Sequence, residues 1–131
     1  MRLNNLIPML NVKDITTSLE FYEKALGFSV VSDPEAVEEW KWATIRSGNT
    51  ELMLSESNCK IKLEKNIDPQ LNTNWPVIFY FYPDNVNELY DHVKNSGFSP
   101  TKLITTIYGM KEFSIQDPDG HVLSFGEDAS E

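Results

Sequence analysis

The chain repeats one short pattern after 70 residues, and this repeat restricts the fold more than any other feature of the sequence. The aligned residues are Asp14 with Asp84, Leu19 with Leu89, Lys24 with Lys94, and Gly27-Phe28-Ser29 with Gly97-Phe98-Ser99. A fixed internal spacing of this kind indicates two copies of one supersecondary unit. One copy alone would leave a sheet face exposed, so two copies, from one chain or from two chains, are expected to pair.

The first copy is expected to run from a strand through a helix to three further strands. Asp14 is a suitable N-cap, and apolar residues recur at helical spacing after it until Gly27 ends the pattern. The apolar helix positions are Ile15, Leu19, Tyr22 and Leu26. The predicted strands are Leu6–Val12, Phe28–Val31, Trp40–Ser47 and Glu51–Ser55, with an acidic turn over Asp33–Glu39 and a hairpin turn at Gly48-Asn49.

The second copy follows the same order. Asp84 or Asn85 is expected to cap its helix, and Gly97 to end it. Its apolar helix positions are Val86, Leu89, Tyr90 and Val93. The predicted strands are Pro76–Tyr82, one or two short strands within Phe98–Ile107, then Met110–Gln116 and Val122–Phe125, with a turn at Asp117–Gly120 and a frayed tail at Glu127–Glu131. Strand alternation points Phe79 and Phe81 toward the helix, and Tyr80 and Tyr82 to the opposite face.

These elements predict an α+β fold in which two βαβββ repeats form a curved mixed sheet. We expect a single domain over residues 1–131, with repeat one at about 5–56, a connection at 57–74 and repeat two at about 75–127. The connection is polar and has no clear period, so it is interpreted as a long loop, part of which is ordered as a lid. A curved sheet has a concave face, and this groove is the expected ligand site.

The composition narrows the class of partner. The 131 residues include 11 Lys and Arg against 20 Asp and Glu, a net charge of −9 that disfavours nucleic acid and anionic membranes and is compatible with a cationic ligand. The single cysteine, Cys59, excludes an internal disulfide and a metal site built from several cysteines. No apolar run approaches the roughly 20 residues of a membrane span, and a cytoplasmic location is expected.

Several segments resemble the vicinal oxygen chelate superfamily, which includes glyoxalases, dioxygenases and bleomycin-resistance proteins. The matching segments are Ile7–Asp14, Ser18–Phe28, Glu51–Leu54, Val86–Tyr90, Tyr108–Phe113 and Asp117–His121. They span nearly the whole chain, and the most specific combination is the Ser-Leu-Glu-Phe-Tyr helix ending in Leu-Gly-Phe together with the later Asp-Pro-Asp-Gly turn. The resemblance implies the βαβββ fold predicted above, whereas proteins that share a fold differ widely in function.

The resemblance also implies a test for metal chemistry. Enzymes of this superfamily usually bind a divalent metal through His, Gln or Glu side chains on four strands. The corresponding positions in this sequence are Ile7, Met53, Ile78 (Val77 if the register slips by one) and Ser124. None of these side chains is an imidazole, carboxylate or thiolate, the donors that replace the hydration shell of a divalent ion. His92 and His121 are interpreted as surface residues, so we predict no metal, no cofactor and no catalytic residue.

Among relatives without a metal, the chain looks most similar to the bleomycin-resistance type, whose members bind a cationic antibiotic and sequester it. The predicted ligand-binding residues are Trp40, Trp42, Met53, Tyr80, Tyr82, Tyr108 and Glu112. Aromatic faces stack on planar rings and attract cations, and a carboxylate favours a positive guest. The alternative for Tyr80 and Tyr82 is a half-buried position in the sheet, and the alternative for the tryptophans is packing at an interface or against a helix.

The sequence therefore favours a metal-free binding protein over an enzyme. It is expected to be a homodimer that sequesters a planar, cationic or amphipathic small molecule in a groove at or near the dimer interface, and a bleomycin-like antibiotic is one candidate. One alternative is an enzyme, either a glyoxalase-like lyase, isomerase or dioxygenase that recruits an unpredicted metal through Glu51, Glu56 or Glu112, or an enzyme that acts without a metal. Another alternative is a regulator or metabolite sensor with no role against drugs.

Overall fold

The computed structural model describes residues 1–57 and 77–129. The chain divides into two compact units, Met1–Ile61 and Lys62–Glu131, and each contains one βαβββ repeat. The elements of the first unit are β1 (Met9–Val12), α1 (Ile15–Leu26), β2 (Ser29–Val30), α2 (Pro34–Trp40), β3 (Trp42–Ser47) and β4 (Thr50–Glu56). Those of the second unit are β5 (Phe79–Phe81), α3 (Val86–Asn95), β6 (Ile104–Thr105), β7 (Met110–Gln116) and β8 (Val122–Asp128). The predicted connection at 57–74 lies, apart from Ser57, outside the described residues.

Each unit has one mixed sheet of four strands, and the two sheets share a topology. The strand order is β1-β4-β3-β2 in the first unit and β5-β8-β7-β6 in the second. The strand that precedes the helix pairs in parallel with the last strand of its unit, and the other neighbouring pairs are antiparallel. The α+β class and the repeated βαβββ order predicted from the sequence are confirmed.

In the first unit, one face of the sheet is buried together with α1. The buried strand residues alternate along β1, β3 and β4, as a half-covered sheet requires. They are Leu10, Val12, Ala43, Ile45, Leu52 and Leu54. The helix contributes Ile15, Phe21, Tyr22 and Ala25 to the same core.

In the second unit, a row of aromatic rings joins the sheet to α3. The ring of Phe125 stacks on those of Phe81 and Phe113, with centroids 5.2 and 5.1 Å away. The ring of Tyr90, on α3, packs against that of Phe113 in a T-shaped arrangement, with 5.3 Å between the ring centroids. Phe81 therefore faces the helix, as predicted, and alternation directs Tyr80 to the opposite face.

The two main helices begin in the same way. Asp14 Oδ1 accepts from Thr17 N at 3.1 Å, and Asn85 Oδ1 accepts from Glu88 N at 3.0 Å, so Asn85 rather than Asp84 is the second N-cap. Each cap satisfies one of the free N–H groups of the first helical turn. These N-caps are 71 residues apart, one more than the spacing of the sequence repeat.

A glutamate from the last strand of each unit adds a second acceptor at the helix start. Glu56 Oε2 accepts from Ile15 N at 3.0 Å, and Glu127 Oε1 accepts from Val86 N at 3.0 Å. A negative charge at this end also interacts favourably with the helix dipole. The two glutamates are again 71 residues apart, so they are corresponding residues of the two repeats.

Helix α2 replaces the acidic turn that was predicted over Asp33–Glu39. Asp33 Oδ1 accepts from Glu35 N at 3.0 Å, and Pro34 occupies the first turn, where its fixed φ suits a helix. The predicted strand start at Trp40 was wrong, because Trp40 ends α2 and Lys41 turns the chain at a φ of 53° before β3 begins.

The ends of two other strands also differ from the prediction. β1 begins only at Met9, after Pro8, which has no N–H to donate and whose carbonyl accepts from Met53 N at 2.9 Å. β8 continues to Asp128, so Glu127 belongs to a strand and not to a frayed tail. Within the two described ranges, no helix has the length and apolar character needed to cross a membrane.

Candidate functional site

A carboxylate on the second sheet is held between two tyrosine hydroxyls. The Tyr80 hydroxyl donates to Glu112 Oε2 at 2.8 Å, and the Tyr108 hydroxyl donates to Glu112 Oε1 at 2.8 Å. We term these three residues the Tyr–Glu–Tyr cluster. Hydrogen bonds to an ionised acceptor are stronger than bonds between neutral groups, so the cluster fixes its three side chains relative to one another.

The strand register brings Tyr80 and Glu112 together. Tyr80 on β5 lies opposite Ser124 on β8, and Glu112 on β7 lies opposite Gly126 on the same central strand. Tyr80 and Glu112 are thus separated by the width of β8. The Tyr80 side chain crosses this strand above Gly126 to reach the carboxylate.

Tyr108 reaches Glu112 from the turn between β6 and β7. In this turn Thr106 N donates to Met110 O at 2.7 Å, and Gly109 N donates to Thr106 O at 3.1 Å. Gly109 has a φ of 83°, a conformation that glycine adopts without the strain that a Cβ would introduce. The tight turn places Tyr108 beside the strand residue four positions later.

The cluster lies on the sheet face that α3 does not cover. Phe113 points toward α3, so its neighbour Glu112 points away from the helix. Tyr80 is 37% exposed, Tyr108 67% and Tyr82 77%. The Tyr82 ring lies 5.2 Å from that of Tyr80 and extends the aromatic surface. The structure thus brings together Tyr80, Tyr82, Tyr108 and Glu112, four of the predicted ligand-binding residues.

Both phenols of the cluster bind their protons more tightly than a free tyrosine does. Burial, followed by the hydrogen bond to Glu112 and its negative charge, raises the pKa of Tyr80 well above the ordinary value of 10.0. The hydrogen bond to Glu112, followed by partial burial, raises the pKa of Tyr108, and a hydrogen bond with Thr106 acts in the opposite direction. Both hydroxyls are therefore protonated at neutral pH and donate to the carboxylate.

The cluster presents hydrogen-bond acceptors and no spare donor. Each tyrosine has one hydroxyl proton, and both protons are used by Glu112. The carboxylate and phenol oxygens keep lone pairs that can accept from a ligand. The cluster is therefore suited to a group that carries N–H donors and positive charge, and an aromatic face adds about 0.5–2 kcal/mol of attraction for a cation.

Two buried serines next to the cluster were not predicted as ligand-binding residues. Ser114 Oγ and Ser124 Oγ are hydrogen bonded at 2.7 Å. Ser114 follows Glu112 by two positions on β7, and Ser124 lies opposite Tyr80 on β8, so both share the face of the cluster. The alternation of β7 gives the face of Ser114 from the sequence, but only the strand register shows that the Ser114 and Ser124 hydroxyls meet.

The other three predicted ligand-binding residues belong to the first unit. Met53 lies opposite Thr44 on β3 and Met9 on β1, on the sheet face away from buried Leu52 and Leu54. Trp42 lies on this same face, opposite Ser55. Trp40 is on α2 and is 70% exposed, so the two tryptophans do not lie on one strand, although the predicted strand Trp40–Ser47 contained both.

The four positions implied for a metal do not fit a divalent ion. Ile7 and Ile78 have hydrocarbon side chains, Met53 is a neutral thioether, and the Ser124 hydroxyl is hydrogen bonded to Ser114. Among residues 1–57 and 77–129, no group of three or more His, Cys, Asp or Glu side chains is placed to hold a metal ion. The absence of a catalytic metal stays a prediction.

The two histidines lie apart in the second unit. His92 is exposed on α3. His121 is half-buried after the Asp-Pro-Asp-Gly turn, and its backbone N–H donates to Asp117 Oδ1 at 2.8 Å. This bond, together with that from Asp119 N to the same oxygen at 2.9 Å, explains the turn motif as a structural feature.

One family model matches almost the whole chain. It is described as Glyoxalase/Bleomycin resistance protein/Dioxygenase superfamily, and it matches residues 3–125. No curated protein sequence matches the chain significantly.

Solved structures share the fold at low sequence identity. TioX from Micromonospora sp. ML1 is 13% identical with a TM-score of 0.74, over 95% of this chain and 98% of that chain. A bleomycin resistance determinant encoded on transposon Tn5 is 18% identical with a TM-score of 0.69, over 98% and 100% of the two chains. A Bacillus anthracis protein provisionally assigned to the glyoxalase family is 15% identical with a TM-score of 0.70, over 98% of each chain. At these identities the similarity shows the fold alone.

Proposed function

This chain belongs to the Glyoxalase/Bleomycin resistance protein/Dioxygenase superfamily, and on that premise we propose that it is a metal-free protein that binds and sequesters a small molecule. The proposed ligand is planar, cationic and antibiotic-like. The observation that carries the proposal is the Tyr–Glu–Tyr cluster, in which a carboxylate accepts both tyrosine hydroxyl protons and lies among exposed aromatic rings. The structure named as a bleomycin resistance determinant makes bleomycin the first compound to test.

Binding would combine stacking with charge. The rings of Tyr82 and Tyr108 offer accessible faces to a planar group, and Glu112 offers a negative charge to a cation. Because Tyr80 and Tyr108 already hold the carboxylate, little side-chain freedom is lost when a ligand binds it. The net charge of −9 attracts a cationic ligand from a distance and speeds its capture.

The proposed action is stoichiometric. Each binding site removes one ligand molecule from solution, and protection depends on affinity and on the concentration of protein in the cytoplasm. No chemical step is assigned, because the four positions that would hold a metal lack suitable donors.

We place the binding groove at the interface of a homodimer. In each unit the main helix covers one face of the sheet, and apolar residues on the other face are exposed, Met9 in the first unit and Tyr80 in the second. Pairing of such faces between two copies would bury apolar surface and enclose a ligand.

Isothermal titration calorimetry with bleomycin tests the proposal. The wild-type protein is expected to bind, and Tyr80→Ala and Tyr108→Ala are each expected to weaken binding by about tenfold, or about 1.4 kcal/mol. Glu88→Gln is the matched control, because it removes a carboxylate from the exposed first turn of α3, which packs on the other face of the sheet. Its affinity is expected to equal that of the wild type.

Other outcomes would contradict specific parts of the proposal. Loss of folding in both tyrosine variants, seen by circular dichroism, would assign these rings to the core. No binding by the wild-type protein, and no protection in a growth assay with bleomycin, would refute the antibiotic role. Near-stoichiometric Zn, Ni, Mn or Fe in protein purified without chelator would favour the alternative of a glyoxalase-like enzyme.

A further inference from the structure

We propose that Gly126 is a specificity-determining residue, because its lack of a side chain leaves the space in which Tyr80 crosses β8 and holds Glu112. Gly126 acts through Tyr80 and is thus a positioning residue. The inference concerns how the Tyr–Glu–Tyr cluster is built, and only its effect on affinity rests on the proposed function.

The space that a side chain would occupy at Gly126 is filled by Tyr80. A Cβ on Gly126 would overlap the Tyr80 hydroxyl oxygen, and it would lie 2.6 Å from Cζ and 3.0 Å from Cε1 of the same ring. Non-bonded carbon atoms prefer separations of about 3.5–4.0 Å. Any other residue at position 126 would therefore displace the end of the ring that donates to Glu112 Oε2.

The backbone conformation does not require glycine at this position. The glycines with positive φ are Gly27, Gly48, Gly97, Gly109 and Gly120, and Gly126 is not among them. Gly126 lies within β8 and pairs with Glu112 in the regular antiparallel register. Glycine weakens a strand interior, and its presence there often marks the close approach of another group. Here the approaching group is the Tyr80 phenol.

The first unit supplies an internal comparison. The helix-capping glutamates Glu56 and Glu127 are corresponding residues, so they align the last strand of the first unit with that of the second. The residues paired with these two strands in each sheet can then be matched in the same way. The corresponding residues are Ser55 for Gly126, Met9 for Tyr80 and Trp42 for Glu112. The same sheet topology therefore accepts a side chain at this position. The second unit, which has glycine at this position, also has Tyr80 and Glu112 at the other two positions.

Displacement of Tyr80 would change what the cluster recognises. Glu112 would keep the hydrogen bond from Tyr108 alone, and the Tyr80 hydroxyl proton would become available to another acceptor. The cluster would then present a donor as well as acceptors, and its preference for a cationic group with N–H donors would weaken.

Gly126→Ala tests the inference in the absence of any ligand. In protein labelled with 13C at tyrosine Cζ, each of the five tyrosines contributes one resonance, and loss of a signal in Tyr80→Phe, in Tyr82→Phe and in Tyr108→Phe assigns the three of interest. At neutral pH, Gly126→Ala is expected to shift the Tyr80 resonance toward that of Tyr82 and to leave a distinct Tyr108 resonance. An unchanged Tyr80 resonance would overturn the inference.

Urea unfolding distinguishes a clash between the new Cβ and the Tyr80 ring from a direct effect of the substitution on strand β8. Gly126→Ala is expected to lower the urea midpoint of the wild-type protein and to leave that of Tyr80→Ala unchanged, because the ring that a Cβ would meet is then absent. An equal decrease in both backgrounds would assign Gly126 to the strand itself and overturn the inference. The Tyr80→Ala background keeps the test decisive if the single variant does not fold.

Calorimetric titration with bleomycin measures the consequence for binding. Gly126→Ala and Tyr80→Phe are each expected to weaken binding by about threefold to tenfold, and the double variant is expected to be no weaker than either. Additive losses would overturn the link between Gly126 and Tyr80. If the wild-type protein does not bind bleomycin, the proposed function fails, whereas the resonance and unfolding measurements still decide the role of Gly126.

Discussion

Removal of Glu127 tests the idea that a strand glutamate caps the helix of each repeat. Glu127 Oε1 accepts from Val86 N at 3.0 Å, and Val86 is fully buried at the start of α3. In Glu127→Ala this N–H loses its acceptor, since the N-cap side chain of Asn85 is bonded to Glu88 N. In Glu127→Gln an amide oxygen can still accept, and only the charge is lost.

The magnitude follows from these two contributions. A net hydrogen bond to a charged group contributes about 1.5–3 kcal/mol, and a part-buried bond belongs near the lower end of that range. Of this hydrogen-bond contribution, about 0.3–1 kcal/mol comes from the negative charge at the helix N-terminus. We therefore expect Glu127→Ala to lower the free energy of unfolding by about 1–2 kcal/mol, and Glu127→Gln by about 0.5 kcal/mol.

Urea denaturation followed by far-UV circular dichroism measures both changes. Glu56→Ala, the corresponding change in the first repeat, is expected to have an effect similar to that of Glu127→Ala because the bond from Ile15 N has the same length of 3.0 Å. Glu23→Ala, at an exposed position of α1, is the control and is expected to change stability by less than about 0.5 kcal/mol. A loss below about 0.3 kcal/mol in Glu127→Ala, or equal losses for Ala and Gln, would refute the reasoning.

Three further predictions concern strain, packing and pH. Lys41→Gly is expected to raise the free energy of unfolding by about 0.5–1 kcal/mol in urea denaturation, because Lys41 has a φ of 53° at the end of α2. Phe113→Ala removes a fully buried ring that stacks on Phe125, and it is expected to lower the free energy of unfolding by about 3–5 kcal/mol in the same assay. The pKa of Tyr80 is raised in the folded state, so the Tyr80 hydroxyl loses its proton in the unfolded chain first as pH rises through 10.0. The free energy of unfolding that this group contributes is therefore retained below that pH and decreases above it. Urea denaturation at about pH 9 and about pH 11 is expected to show a smaller decrease in Tyr80→Phe than in the wild type.

The sequence was most informative where a pattern repeats or alternates. The spacing of apolar residues and the capping residue Asp14 located α1, and the alternation of Met110–Gln116 gave the bounds of β7 as they are observed. Helix α2 was missed because it has only seven residues, three of them glutamates, and none is buried, so no apolar stripe marks it. The local signal was Asp33-Pro34, an N-cap followed by the residue preferred in the first turn.

The sequence predicted which residues belong to the candidate site, but it did not predict the hydrogen bonds among them. Alternation placed Tyr80 and Tyr82 on one face, and the segment Tyr108–Phe113 contained both Tyr108 and Glu112, whereas the turn that brings their side chains together was not predicted. The bond between Tyr80 and Glu112 depends on β8 lying between β5 and β7, which is a property of strand order. No local pattern encodes strand order, and Gly126 therefore gave no signal until the register was known.

Chemical shift mapping with bleomycin tests the central claim most directly. The protein has five tyrosines, of which Tyr80, Tyr82 and Tyr108 belong to the proposed site. Tyr22 is fully buried, and Tyr90 lies on α3 and packs against Phe113 on the other face of the sheet. In protein labelled with 13C on the tyrosine rings, saturating bleomycin is expected to shift the resonances of the first three and to leave those of Tyr22 and Tyr90 in place. Shifts confined to Tyr22 or Tyr90, or no shift at any tyrosine, would contradict the assignment of this sheet face as the ligand site.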